Sequence, residues 1–300
     1  MLTGIFPPLP TPFKEDGALD LEALRSNVEQ LNPTGLSGYL ALGSNSEAVH
    51  VTPAEASQVF ATVCRSAAPD QIVIGGTGQF STHATIELTQ RAADAGCAAA
   101  LIITPFYYKN SMTTEALRQH YHAIADQSPI PVLIYNVPAN TGFNIAPDSV
   151  AAIAQHPNII GLKDSAGDIN QLAEVVRLTR KPGSKETSFK VFSGNYGALL
   201  PGLTFGIVGA ILAVANIAPN ECVQIFNLFR RGQIEAAGEL HLRLLPVARA
   251  VTAQFGVPGL KAALNLLGYN GGYPRRPLLP LAAPQRAELE QALRAAHLLK

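Results

Sequence analysis

A (β/α)8 barrel followed by a helical extension is the fold the sequence predicts, and three observations predict it. Short apolar segments of strand character recur eight times, a segment of helical period follows each, and from about Gln233 only helical patterns remain. Strands joined through helices run parallel with right-handed crossovers, and eight such units close into a barrel. The runner-up is an open doubly wound sheet, whose first turn carries G-x-G-x-x-G. Gly75-Gly76-Thr77-Gly78 is only a fragment of that pattern, and no acid ends a following strand at the expected distance. The expected division is therefore a barrel over residues 1–232 and an extension over residues 233–300.

The elements follow in order. A short apolar start precedes Thr11-Pro12-Phe13 and an Asp16-Gly17 turn, after which Leu21, Leu24, Val28 and Leu31 keep helix period behind Asp20 as N-cap. Gly38 to Leu42 reads as a strand delivering Gly43-Ser44-Asn45-Ser46-Glu47 to a loop. Thr52-Pro53-Ala54-Glu55 opens a helix with a capping box. Ile72 to Ile74 is a strand, Thr82 to Ala95 a helix stopped by Gly96, and Ala98 to Ile103 a strand running into Thr104-Pro105-Phe106-Tyr107-Tyr108. A helix over about 113–126 and a strand over Pro131 to Tyr135 follow, then a loop from Asn136 to Gly142. A helix from Pro147 to Gln155 leads into the strand Asn158 to Lys163. Helices near 168–180, 196–200 and 219–230 alternate with strands at Phe189 to Phe192 and Ile207 to Leu212. The extension reads as helices over about 234–255, 257–267 and 284–299 with a Gly/Pro-rich turn through Gly271-Gly272-Tyr273-Pro274.

Composition narrows the function classes. With 47% hydrophobic and 15% charged residues the chain can bury a large core, and with 22 Lys plus Arg against 22 Asp plus Glu it has no net charge. Such a balance argues against nucleic acid and anionic membranes, so an anionic substrate must be held by local donors. The start lacks a signal or transit pattern, and no apolar run is long enough for a bilayer. Cys64, Cys97 and Cys222 have no metal-ligand spacing and fit buried thiols in a reducing compartment. A cytoplasmic protein is expected. His120 and His122 point apart on a helix and the other five histidines are isolated, so no metal site is expected, nor is there a G-x-S-x-G elbow or a P-loop.

The chemistry centres on Ile159-Ile160-Gly161-Leu162-Lys163-Asp164-Ser165. This pattern puts one amine where a buried strand leaves the core. Burial of an amine favours its neutral form, which is the form that attacks a ketone to give a Schiff base. The alternative is a strand-end lysine snorkelling to water over its apolar stem. Strand ends and the loops after them share one face of a barrel. Collected there are Ser44 and Asn45, Tyr107 and Tyr108, Tyr135, and Lys163 with Ser165. Tyr135 and Lys163 fall on adjacent strands, and a phenol beside an amine can pass protons to and from a carbinolamine. Singly, each also has a structural reading, as a satisfied core tyrosine, turn formers, or surface aromatics.

Across nearly its whole length the chain resembles the dihydrodipicolinate synthase and N-acetylneuraminate lyase family of class I, pyruvate-dependent aldolases. The segments that carry the resemblance are Thr11-Pro12-Phe13, Gly43 to Glu47, Thr104 to Tyr108, Tyr135 to Gly142, Gly161 to Asp168, Ser193-Gly194-Asn195 and Gly256 to Pro258. The resemblance implies a (β/α)8 TIM barrel with a C-terminal helical extension, assembled as a homotetramer of two tight dimers, and no metal or organic cofactor. It makes Lys163 the Schiff-base lysine and Tyr135 the proton-shuttling phenol. Ser44 and Asn45 then hold the pyruvate carboxylate and relay protons, Tyr107 reaches into the neighbouring subunit's site, and backbone groups at Gly194 and Ile211 border the pocket.

Two departures bear on the substrate. The synthases typically have Gly-Thr-Thr-Gly-Glu where this chain has Gly43-Ser44-Asn45-Ser46-Glu47, and an arginine for the aldehyde's carboxylate where it has Asn140. A neutral amide does not replace a bidentate guanidinium. The motifs look more like 4-hydroxy-2-oxoglutarate aldolase and the 2-keto-3-deoxy sugar acid aldolases, with Ser165 and Asn45 contacting the non-pyruvate half. The expectation is a lyase cleaving a 4-hydroxy-2-oxo acid to pyruvate and an aldehyde. Two alternatives stand beside it: the synthase itself, condensing pyruvate with aspartate semialdehyde, and a non-catalytic barrel that binds 2-oxo acids.

Overall fold

The computed structural model describes residues 2–180 and 189–300. Among the described residues there are eight strands: β1 (Gly4–Phe6), β2 (Gly38–Ala41), β3 (Ile72–Gly76), β4 (Ala99–Ile103), β5 (Val132–Asn136), β6 (Ile159–Asp164), β7 (Lys190–Ser193) and β8 (Gly209–Ile211). They form one sheet in the order β1-β8-β7-β6-β5-β4-β3-β2. The two ends of that order meet as well: Leu9 N donates to Leu40 O (2.9 Å) and Leu40 N to Pro7 O (3.0 Å), a parallel bridge just beyond β1 and within β2. This strand order is that of a (β/α)8 barrel.

Helices follow the strands: α1 (Leu21–Leu31), α2 (Pro53–Ser66), α3 (Thr82–Asp94), α4 (Thr114–Gln127), α5 (Pro138–Thr141), α6 (Pro147–Ile153), α7 (Ile169–Thr179), α8 (Leu199–Phe205) and α9 (Pro219–Arg230). Three more complete the chain, α10 (Ile234–Arg249), α11 (Gly256–Leu266) and α12 (Ala283–Ala295). The N-terminal signals act as expected. Asp20 accepts from Ala23 N, Thr52 and Glu55 form the reciprocal capping box, and Asp168 accepts from the amides of Asn170 and Gln171.

The boundaries move little from those expected, with instructive exceptions. The stretch after β5, expected as loop, contains the single-turn helix α5, too short to carry a helical period of its own. The helix expected from 196 to 200 runs on to Phe205 and ends at Gly206, whose φ of 109° suits a residue without Cβ. The long helix expected to reach Phe255 changes at Ala250 to a π-helical turn, Ala250–Gln254, after Pro246 within α10. The helix expected to reach Leu299 ends at Ala295.

The chain divides into two compact units, one built on Ile74–Ile211 with the residues before Gly4, the other on Gly4–Val73 with Leu212–Lys300. In the first, parallel pairing runs without interruption from β3 to β8, and all five residues of β5 are buried. Continuous apolar character, with no inside-outside alternation, is what burial on both faces requires. Gly161 is needed in β6 because a Cβ there would lie 2.2 Å from Lys190 O. In the second unit α1 packs on α2, with Leu24, Val28 and Leu31 facing a core that includes Val59, Phe60 and Val63. No helix among the described residues is long and apolar enough to cross a membrane.

Candidate active site

Lys163 and Tyr135 are the penultimate residues of their strands and stand opposite each other in the β5–β6 register. Both side chains are buried, Lys163 at 3% exposure and Tyr135 at 6%. The Lys163 Nζ lies 4.1 Å from the centroid of the Tyr135 ring. A phenol and a primary amine are therefore side by side at the end of the sheet. This amine does not snorkel; its head group is held inside the protein.

Two further expected residues, Gly194 and Ser165, gather around it. Gly194 follows β7, and its amide donates to Asp164 O (2.6 Å). A Cβ on Gly194 would come within 1.9 Å of the Ser165 Oγ and 2.9 Å of the Lys163 Cε. Ser165 and Lys163 thus crowd the backbone at Gly194 so closely that a side chain there would have to displace one of them. Ile211 is the last residue of β8 and is 1% exposed.

Behind Lys163 lies a polar cluster that sequence reasoning passed over. Asp164, 3% exposed, accepts from three neutral N–H donors: Asn136 Nδ2 (3.2 Å), Gln171 Nε2 (2.9 Å) and the Ala166 amide (2.7 Å). Asn136 is fully buried, its Nδ2 also donates to Asn144 Oδ1 (2.8 Å), and its Oδ1 accepts from Ile145 N (3.3 Å). Asn144 and Gln171 exchange hydrogen bonds in both directions (2.7 and 3.2 Å). The available signal was positional: Asn136 and Asp164 each follow, by one residue, the side chains already singled out.

Tyr107 and Tyr108 are 74% and 73% exposed and belong to an aromatic cluster. The Tyr107 ring lies 5.0 Å from Tyr108 and 6.3 Å from Phe80, which in turn lies 5.3 Å from Phe106. Asn140 is exposed on α5. Over the Gly142 that ends α5 stands the Lys109 ammonium, 3.2 Å from where a Cβ on that glycine would be.

Ser44 and Asn45 lie in the other unit, half-buried in a tight turn. Ser46 is fully buried and ties that turn down, its Oγ accepting from Gly43 N (3.1 Å) and donating to Leu9 O. Glu47, with φ of 56°, ends the turn in the left-handed region and puts its buried carboxylate 2.6 Å from the Lys261 Nζ. Lys261 also donates to Tyr273 O (2.6 Å), and burial lowers it to about 8 against the opposing pull of Glu47. The Phe13 ring has the Lys261 Nζ on it at 4.6 Å and the Arg275 guanidinium at 4.2 Å. Arg275 forks onto Glu55 (2.6 and 3.0 Å), which holds that carboxyl down to about 2. None of these four charged partners was expected from the sequence, since the pairs are separated by more than two hundred residues.

Cys64, Cys97 and Cys222 are free thiols, the last two buried. His156 is not isolated, contrary to expectation: its ring lies 5.2 Å from that of His122, on another helix, and its Nε2 is 3.0 Å from Asp126. No group of three or more metal-ligating side chains occurs among the described residues.

Comparison with known proteins places this geometry. The model of the dihydrodipicolinate synthetase family matches residues 1–296. The 4-hydroxy-tetrahydrodipicolinate synthase of Methanothrix thermoacetophila is 39% identical over 293 residues, covering 98% of this chain and 96% of that one. Among solved structures, dihydrodipicolinate synthase from Thermotoga maritima superposes with a TM-score of 0.93 at 32% identity over the full length of both chains. YagE, a prophage protein of the same family from E. coli K12 in complex with pyruvate, gives 0.92 at 30% identity over 99% of each. The protein is an enzyme, a carbon–carbon lyase of the aldolase type. It belongs to the dihydrodipicolinate synthetase family.

Proposed function

We propose that the enzyme is a Schiff-base aldolase that uses pyruvate as its nucleophilic half and condenses it with aspartate semialdehyde. The observation that carries the Schiff base is the buried Lys163 amine against the Tyr135 ring. The Lys163 Nζ attacks the C2 ketone of pyruvate, and Tyr135 relays the protons by which the carbinolamine loses water. Loss of a C3 proton from the iminium gives the enamine, whose C3 then adds to the aldehyde carbon. Water finally releases the adduct and restores the amine. By resemblance, Ser44 and Asn45 hold the pyruvate carboxylate, Gly194 and Ile211 border the pocket, and Ser165 meets the second substrate.

The choice of aldehyde is supported by the synthases among the relatives. The Lys109 ammonium over Gly142 supports it too, because it supplies a cation to the loop in which Asn140 stands. The neutral, exposed Asn140 favours a second reading, the reverse reaction on a 4-hydroxy-2-oxo acid. There Tyr135 takes the C4 hydroxyl proton, the C3–C4 bond breaks, and its electrons flow into the iminium. The family resemblance further suggests a cytoplasmic homotetramer in which Tyr107 completes a neighbouring site, with residues 1–232 as the catalytic barrel and 233–300 as the extension.

The test is reduction with borohydride in the presence of pyruvate, followed by intact-mass measurement and peptide mapping. A pyruvyl adduct confined to Lys163 is expected, and Lys163→Arg abolishes both adduct and turnover. A folded protein that gives no adduct at high pyruvate overturns the aldolase reading and favours a barrel that only binds 2-oxo acids. Turnover with aspartate semialdehyde, set beside a panel of 4-hydroxy-2-oxo acids, decides between the two substrates.

A further inference from the structure

The Lys163–Tyr135 pair depends on a distance between two strands, and the next residue pair along those strands is built to hold that distance. Asn136 and Asp164 are register partners one position beyond Tyr135 and Lys163. Successive side chains on a strand point to opposite faces, so this second pair lies on the far side of the sheet from the reacting groups. It is joined directly, Asn136 Nδ2 to Asp164 Oδ2 at 3.2 Å, and the backbone repeats the tie, with Ser165 N donating to Asn136 O at 2.9 Å. Gln171 and Asn144 then fasten the joint to α7 and to the segment entering α6.

The chemistry of this joint is specific. Three N–H donors converge on the two oxygens of Asp164, and each donor is neutral. A carboxylate has acceptors on both oxygens, whereas an amide has one acceptor and one donor group. An asparagine at position 164 can therefore serve Ala166 N or the Asn136 and Gln171 pair, but not both. The same residue fixes the turn at Ala166 through its carboxylate and the Gly194 amide through its main-chain carbonyl, so it also sets where Ser165 lies against Gly194.

We infer that Asn136 and Asp164 are positioning residues for the catalytic pair, a cross-strand clamp that holds the Tyr135 ring against the Lys163 amine. This rests on the roles proposed for Lys163 and Tyr135. Neither clamp residue touches the reacting atoms, and the clamp acts through spacing alone. Proton relay is steep in distance, and a displacement on the order of 1 Å is enough to lower a rate by about a hundredfold. The step that suffers is dehydration of the carbinolamine, so imine formation slows while capture of pyruvate by its carboxylate persists.

The experiment measures the rate of borohydride-trapped adduct against pyruvate concentration in the full-length protein, with thermal melting as a check on folding. Asp164→Asn is expected to lower the trapping rate at saturating pyruvate by about tenfold or more. Its half-saturating pyruvate concentration is expected to stay within about threefold of the parent's, since initial binding is left in place. Asn136→Ser, which shortens the donor, gives the same split and serves if the first variant does not fold. The decisive arm combines each with Tyr135→Phe. If the clamp acts through the phenol, the loss from Asp164→Asn or Asn136→Ser largely vanishes in that background. Losses that multiply independently, or a wild-type trapping rate in both folded single variants, overturn the inference. Absence of any adduct in the parent protein instead overturns the Schiff-base reading on which it rests.

Discussion

Gly194 makes the most demanding contact in the candidate site. Its missing Cβ is the space that the Ser165 hydroxyl and the Lys163 side chain occupy. Gly194→Ala must push one of them aside, and in a packed site such overfilling costs about 1–3 kcal/mol. Activity is expected to fall by at least about tenfold, because the groups that must give way, Ser165 and Lys163, both belong to the candidate site. A melting curve beside a pyruvate saturation curve checks both. Near-native activity with unchanged stability would show that the loop after β7 yields freely. Lys163 and Tyr135 were legible at this scale because a strand-end amine and a phenol stand out against apolar runs. Asn136 and Asp164 were not, since buried amides and acids look like loop residues until the strand register sets them face to face. Asn140 was legible as a departure, but the Lys109 ammonium beside its loop was not, because it arrives from the preceding β-to-α connection.

At the scale of elements, the caps and strands could be read and the long-range ties could not. Thr52 and Glu55 announce the start of α2 by their spacing alone. What the spacing hides is that the Glu55 carboxylate also receives Arg275, from a segment more than two hundred residues away. The Arg275 guanidinium holds Glu55 at about 2, below its ordinary value of 4.5, so the pair contributes stability that is fully present above pH 4.5 and lost as pH falls through 2. Allowing for the partial exposure of both side chains, that contribution is about 2 kcal/mol. Glu55→Gln is expected to lose it at pH 7, together with part of the capping box. Chemical denaturation at pH 7 and pH 2.5 tests this, and an equal deficit at both would refute the linkage. The single-turn helix α5 and the π-helical turn after α10 were illegible for a different reason. Both are too short to carry a helical period of their own.

At the scale of the whole molecule, eight β/α units and a helical tail were visible from rhythm alone, and the family comparison and the strand order agree with that reading. The division into two compact units was not visible, because the second unit joins the two ends of the chain. Global stability is also expected to respond to His120, which the sequence showed only as facing away from His122. His120 is buried, bonded through Nδ1 to Thr82 Oγ1 at 2.9 Å, and burial lowers it from 6.5 to about 4. The folded protein resists this proton, so stability is unaffected above pH 6.5 and falls as pH drops towards 4. The loss reaches about 3 kcal/mol once the pH is below the folded value. His120→Gln is expected to flatten that part of the acid curve, and an unchanged slope between pH 6.5 and 4 would remove His120 as its source.

Ties across most of the barrel sequence also constrain how the chain is made. Thr3 donates its hydroxyl to Val208 O across 205 residues, and Leu212 N donates to Phe6 O in β1 (3.0 Å). During synthesis the first strand leaves the ribosome long before its partner exists. At about 5–20 residues per second, the interval is on the order of 10–40 s, far longer than local folding needs. Throughout it, β1 offers one unpaired flank to any nascent chain nearby. Translation speed and chaperone occupancy over the stretch between β1 and β8 therefore bear directly on the yield of native enzyme.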